Sequence, residues 1–401
     1  MLSLFTLRNI FKKDFEQFFR DHNVKKRTVR IQAASGQELY VPIKAMLEEE
    51  LKEETSFSPE DLDRFFYDQL FYSNNNWHCI YPFDEIKFAN HRDIKEVTNF
   101  FVEFKVEFKT NQLLTADLSA YDFTLCTTRI ESKEGEAESI NFLFKIGNVI
   151  VDNFNQHFFC GVTIDLVQNL VLFKFNQNLI DNFNLDQLDI LKRLKGILNG
   201  ENEDNSFFNE LSLNVTSFSE ETPKKLISYH FKELSAEAEA LLSAEVPENT
   251  EKDIEDFLTE KGLPCNDDYI QQIKSVLFQD ISKKCADTLF SSGWVFRFIF
   301  REGRYTRAST RTENRSPIYG SKVYWHLKEL IFKNNEMSEA GFFWYLPGST
   351  QEKPNYVDVR FEGRNDYLIT HYYYTMRGPD RKEKEEFVLQ KVRAYLQEPG
   401  H

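Results

Sequence analysis

The chain has 401 residues and a formal charge of −15, with 41% apolar and 28% charged residues. That length exceeds what one hydrophobic core organises, so two or three domains are expected, and the composition argues against a largely disordered chain. An acidic chain repels phosphate on average, so any binding of nucleic acid or of an anionic membrane must be local.

The N-terminal residues Leu7, Phe11, Phe15, Phe18 and Phe19 recur at helical spacing and predict one amphipathic first helix. Thr28 to Gln32 and Glu38 to Ile43, flanking Ala33-Ala34-Ser35-Gly36, predict a hairpin, followed by a charged helix through Glu54. Ser58, Pro59 and Asp61 form a helix-start signal ahead of the apolar face Leu62, Phe65, Phe66 and Leu70.

From about residue 77 to 176 the apolar period moves toward two. Strands are predicted at Phe101 to Lys109, Phe123 to Ile130, Ile140 to Ile146, Phe158 to Asp165 and Leu170 to Phe175. They make a Phe-rich antiparallel sheet, and a helix from Leu185 to Leu198 follows it. Phe, Asn, Ile and Lys share AT-rich codons, so an AT-rich bacterial or mobile-element genome accounts for the 39 Phe.

Residues 206 to 292 read as acidic helices, with a cap-like Thr250 and Asp253 and a long helix from Asp267 to Ser291. The last hundred residues return to strands. Trp294, Phe296, Phe298 and Phe300 alternate with Val295, Arg297, Ile299 and Arg301, which sets both arginines opposite the aromatics. A loop, a helix from Ser321 to Asn334, a meander near Phe342 to Leu346, Tyr356 to Phe361 and Tyr367 to Thr375, and a closing helix after Asp380 complete the chain. The expected fold class is α+β: an N-terminal Phe-rich antiparallel sheet domain (1–200), a helical bridging region (206–292), and a C-terminal α/β module with an antiparallel meander and an Arg-rich loop (293–401).

The charge is segregated. Residues 294 to 328 carry Arg297, Arg301, Arg304, Arg307, Arg311, Arg315, Lys322 and Lys328 against Glu302 and Glu313, a net +6 that leaves −21 on the rest. Arginine forks suit phosphate oxygens, and Ser and Thr hydroxyls add neutral donors. The candidate anion- or nucleic-acid-binding set is Arg301, Arg304, Tyr305, Arg307, Arg311, Arg315, Ser321 and Lys322. Tyr305 is the stacking candidate, and Ser321 and Lys322 stand at a helix start. Tyr324 and Trp325 are expected to pack within their helix.

The leading expectation is therefore a non-enzymatic binding or assembly protein whose partner is nucleic acid or another polyanion. The alternative is an interaction subunit of a bacterial defence or toxin-immunity system, self-associated as a homo-oligomer or docked by its arginines on an acidic protein. A third reading, a Mg²⁺-dependent nuclease, draws on Glu85-Ile86-Lys87, Glu103-Phe104-Lys105 and Glu107-Phe108-Lys109 with Asp84 and Asp93 upstream. A strand with a solvated charged face produces Glu-x-Lys without any metal. Asp358, Glu362 and Asp366 are explained by turn chemistry.

No nucleotide-binding glycine motif and no nucleophile elbow occur, so no cofactor is expected. Cys79, Cys126, Cys160, Cys265 and Cys285 are widely spaced without a C-x-x-C pair, which predicts buried free thiols rather than a zinc site. No apolar run approaches the roughly eighteen residues of a membrane span, and the cytoplasm is the expected location.

Overall fold

The computed structural model describes residues 2–24, 38–53, 56–118, 121–201, 206–284, 290–302, 306–350, 352–373 and 380–398. They form two compact units that divide between Ser217 and Phe218. The helical stretch 206–292 is shared out by this division, its larger part belonging to the second unit. The fold is α+β throughout.

The first unit opens with helices α1 (Leu4–Leu7), α2 (Lys12–Asp21), α3 (Tyr40–Glu53) and α4 (Pro59–Asp68). The expected single first helix is thus two. Asn9 Nδ2 donates to the carbonyls of Phe5 and Thr6, which closes α1, and extended Phe11 restarts the chain as α2. Residues 25–37, and with them most of the expected hairpin, lie outside the described residues. Its second arm does not form a strand, because Tyr40 to Ile43 already belong to α3. The start of α4 is as expected: Ser58 and Asp61 make a reciprocal capping box with Pro59 in the first turn.

Strand β1 (Trp77–Glu85) leads to α5 (Ile94–Glu103) and α6 (Lys105–Phe108). This corrects the strand expected at Phe101 to Lys109. Asp93 caps α5 by accepting from the Lys95 and Glu96 amides. Val97, Phe100, Phe101 and Phe108 are buried, whereas Val102 and Val106, which alternation would bury, are 64% and 80% exposed. Left-handed Lys109 ends the segment. The pattern admitted both periods, and the packing of Phe108 on Phe101 and Phe142 selected the helical one.

Strands β2 (Thr124–Lys133), β3 (Glu136–Val151), β4 (Phe154–Asp165) and β5 (Leu170–Phe175) follow, then α7 (Gln177–Ile180), α8 (Gln187–Leu198), α9 (Ser206–Leu211) and β6 (Asn214–Val215). The antiparallel order is β2-β3-β4-β5-β1, with β6 paired to the end of β1. Both sheet faces are covered. Leu143 and Phe159 join the core of α1 to α4, while Phe142 and Phe144 meet Phe208 of α9. β5 is consequently buried at every position, without alternation.

The second unit comprises α10 (Glu221–Ala244), α11 (Thr250–Glu260), α12 (Asp267–Lys284), β7 (Gly293–Glu302), β8 (Thr306–Arg311), α13 (Lys322–Lys333), β9 (Glu339–Tyr345), β10 (Tyr356–Gly363), β11 (Leu368–Tyr372) and α14 (Arg381–Leu396). Its antiparallel order is β8-β7-β9-β10-β11. Helix α10 covers one face: Phe231 meets Phe298, and the His230 ring lies among Phe342, Trp344 and Phe361. Among the described residues no helix is long and apolar enough to cross a membrane.

Candidate functional site

The segment expected to be an Arg-rich loop is in large part strand β8. Thr306 to Arg311 pairs antiparallel with β7, setting Arg311 opposite Arg297 and Arg307 opposite Arg301. Residues directly opposite in an antiparallel pair share a face, so these four positions lie on one side of the sheet. Phe298 and Phe300, on the other side, are 0% and 2% exposed. Four residues of strand separate Arg307 from Arg311 by about 13 Å.

The expected alternation of β7 fails at its start, and this failure shapes the site. The register between β7 and β9 slips between Val295 and Arg297, a β-bulge at Phe296. A Cβ placed on Gly341, across from Arg297, would lie 2.5 Å from both the Arg297 Cγ and the Phe296 ring, so both side chains occupy the space above this glycine. Trp294 stacks on Phe343 at 3.9 Å, and its indole N–H donates to the Arg315 carbonyl at 2.7 Å. Trp294 and Phe296 therefore share the arginine face. Phe296, Tyr373, Arg311 and Arg315 line a hollow of about 420 Å³. Neither Phe296 nor Tyr373 was legible as a site residue: the deciding signal, a glycine far along the chain at position 341, is not local.

Several cations of the basic segment meet carboxylates of the same unit. Arg297 pairs with Glu339, Arg315 with Asp358 at 3.0 Å, and Lys328 with Glu239. Arg360 lies 3.9 Å from Glu339 and 3.7 Å from Glu362, which also holds Arg364 at 2.6 Å. Asp358 and Glu362 are thus strand residues that hold arginines rather than turn formers. Burial pushes the Asp358 carboxyl from 3.8 up to about 6, against the pull of Arg315 and Lys384. Glu339 is raised too, by burial, against the pull of Arg297 and Arg360. His371 is pushed down to about 4 by burial, with Arg360 and Arg297 adding to the effect.

Arg307 and Arg311 differ from these. Both are exposed, and neither forms an ion pair with a described residue. Arg307 borders a cleft of about 780 Å³ whose lining also includes Lys224, Arg364, Glu220, Glu336, Glu339 and Glu362, and its charge acts on the Glu339 carboxylate.

The remaining expected residues do not converge here. Ser321 caps α13 by accepting from the Val323 amide, so its hydroxyl is engaged in its own helix. Helix α13 joins α10 through Tyr324 and Phe231, on the Phe298 side of the sheet, which carries exposed Lys322 away from the arginine face. Tyr324 and Trp325 are buried, as expected of packing residues. Arg304 and Tyr305 lie outside the described residues, and of Arg301 only the backbone is described. The Glu103 and Lys105 pair is not on a strand: both are exposed residues at a helix boundary. Among the described residues no three His, Cys, Asp or Glu side chains gather as a metal site.

The chain matches no protein-family model, no curated protein and no solved structure.

Proposed function

We propose that the second unit is a non-enzymatic binding module for a polyanion, single-stranded nucleic acid by preference, and that strand β8 is its contact element. One observation carries this reading: Arg307 and Arg311 stand exposed on one face of a strand, neither in an ion pair with a described carboxylate, and Arg311 lines a hollow together with Tyr373. Guanidinium groups engage backbone phosphates, and the partly exposed Tyr373 ring, backed by buried Phe296 at 6.0 Å, accepts an unpaired base. Arg297 and Arg315, neutralised by Glu339 and Asp358, support the face without supplying net charge to it.

Anisotropy titrations of labelled single-stranded DNA and RNA oligonucleotides across a salt series test the proposal. Affinity is expected to fall steeply with salt, and Arg307→Glu combined with Arg311→Glu to abolish binding. Affinity unchanged in the double variant removes β8 as the contact element.

A second reading is favoured by one feature: β8 is the terminal strand of the order β8-β7-β9-β10-β11, and edge strands are natural docking lines. Two copies joined along β8 would bring like charges together, so an acidic partner strand fits better than a second copy. Light scattering of the chain with poly-glutamate and with the oligonucleotides separates the two readings.

A further inference from the structure

We propose that the second unit carries a separate pocket for a small planar organic anion, between the turn after β9 and helix α14. The pocket has a volume of about 710 Å³, within the range that holds a drug-sized ligand. Trp344, Leu346 and Phe387 make its apolar walls, and Ser349, Thr350 and Lys391 contribute its polar groups.

The polar lining is rich in donors. Ser349 Oγ accepts from the Asn355 amide at 3.0 Å and Thr350 Oγ1 from the Lys353 amide at 3.1 Å. Each hydroxyl uses one of its two acceptor lone pairs in these turn bonds and has its own proton available to donate. The Trp344 indole N–H, in a side chain 1% exposed, lies behind this lining without a hydrogen-bond partner among the described residues. Lys391 adds the positive charge. Its carboxylate neighbour Glu233 is 3.7 Å away, lies outside the pocket lining, and also meets His230 at 3.1 Å. Among the described residues no Asp or Glu lines the pocket, in a chain whose net charge is −15. Donors and a cation set in apolar walls recognise an acceptor-rich anion with a flat apolar body, such as an aromatic carboxylate.

Isothermal titration with 2-naphthoate and with its neutral counterpart 2-naphthamide tests the assignment on the full chain. One naphthoate per chain is expected, with naphthamide at least tenfold weaker. Lys391→Met should bring naphthoate down to the naphthamide level. Because Lys391 also meets Glu233, a second variant is used: Thr350→Glu sets a carboxylate on the rim and should weaken naphthoate at least tenfold while the circular dichroism spectrum shows the fold retained despite the lost turn bond to Lys353. The Arg307→Glu and Arg311→Glu double variant should bind naphthoate normally, which separates this pocket from the polyanion face. Absence of saturable naphthoate binding, equal affinity for the amide, or wild-type affinity in either pocket variant overturns the proposal.

Discussion

Gly341 lies directly across the β7–β9 ladder from Arg297, and the side chain it lacks is what lets the bulged Phe296 ring and the Arg297 stem share one face. Gly341→Val should force both out of place. A loss of about 1–3 kcal/mol in denaturant unfolding is expected. Affinity for a single-stranded oligonucleotide should fall with it, since buried Phe296 packs behind Tyr373, which lines the hollow. Unaltered stability would show that the ladder relaxes around the added atoms.

Asp358 makes stability depend on pH in a direction unusual for a carboxylate. Its folded value, about 6, lies above the 3.8 of an unperturbed group because burial opposes ionisation more than Arg315 favours it. Its stabilising contribution is therefore complete below about pH 4 and lost as pH rises through about 6. His371, held down at about 4, acts oppositely: its contribution is present above the unperturbed value of 6.5 and lost as pH falls through about 4. Asp358→Asn isolates the first effect. The difference between the stability curves of the wild type and this variant excludes His371, which both proteins share, and should change by about 1–3 kcal/mol between pH 4 and 7. A flat difference curve would show that Arg315 compensates the burial fully.

The Ser58 hydroxyl accepts from the Asp61 amide at 3.1 Å, while Asp61 Oδ2 accepts from the Ser58 amide at 3.0 Å. Ser58→Ala should cost about 1 kcal/mol of unfolding free energy. Ser58→Thr should restore most of it, because its hydroxyl can accept the same amide and still donate to Asp61 Oδ2, as Ser58 does at 2.8 Å. Equal stability of all three proteins would remove the box as a determinant of α4.

The thiols should fall into two classes. Cys79, Cys126 and Cys160 are buried, and burial pushes the Cys126 thiol up to about 12, whereas Cys265 is exposed. Cys265 departs from the expectation of uniformly buried thiols, and Cys285 lies outside the described residues. A thiol-disulfide reagent at pH 8 should modify Cys265 within minutes and the three buried thiols only after denaturation. Cys265→Ser should remove that part of the fast reaction.

The elements most legible in sequence are those whose signal is local and unopposed. The cap of α4, the Phe-rich strands β3 to β5 and the meander β9 to β11 follow from cap chemistry, β-rich runs and turn residues within a few positions. The segment Phe101 to Lys109 was not legible, because its apolar residues satisfy two periods at once and the choice was made by Phe142, on another strand. Strand β8 was hidden for a similar reason. Thr306 to Arg311 has no apolar face of its own, and it is a strand because β7 supplies the ladder.

The basic segment itself was plain in the sequence, since charge counts need no coordinates. What each cation does was not. Arg297, Arg315 and Lys328 find Glu339, Asp358 and Glu239, all distant in the chain, while Arg307 and Arg311 stay exposed. Composition and short-range pattern thus determined the α+β class and located the cationic stretch, because both depend on residues close in the chain. Only the tertiary structure decided which arginines are neutralised and which aromatics stand beside them, because ion pairing and strand register are set by contacts between residues far apart in sequence.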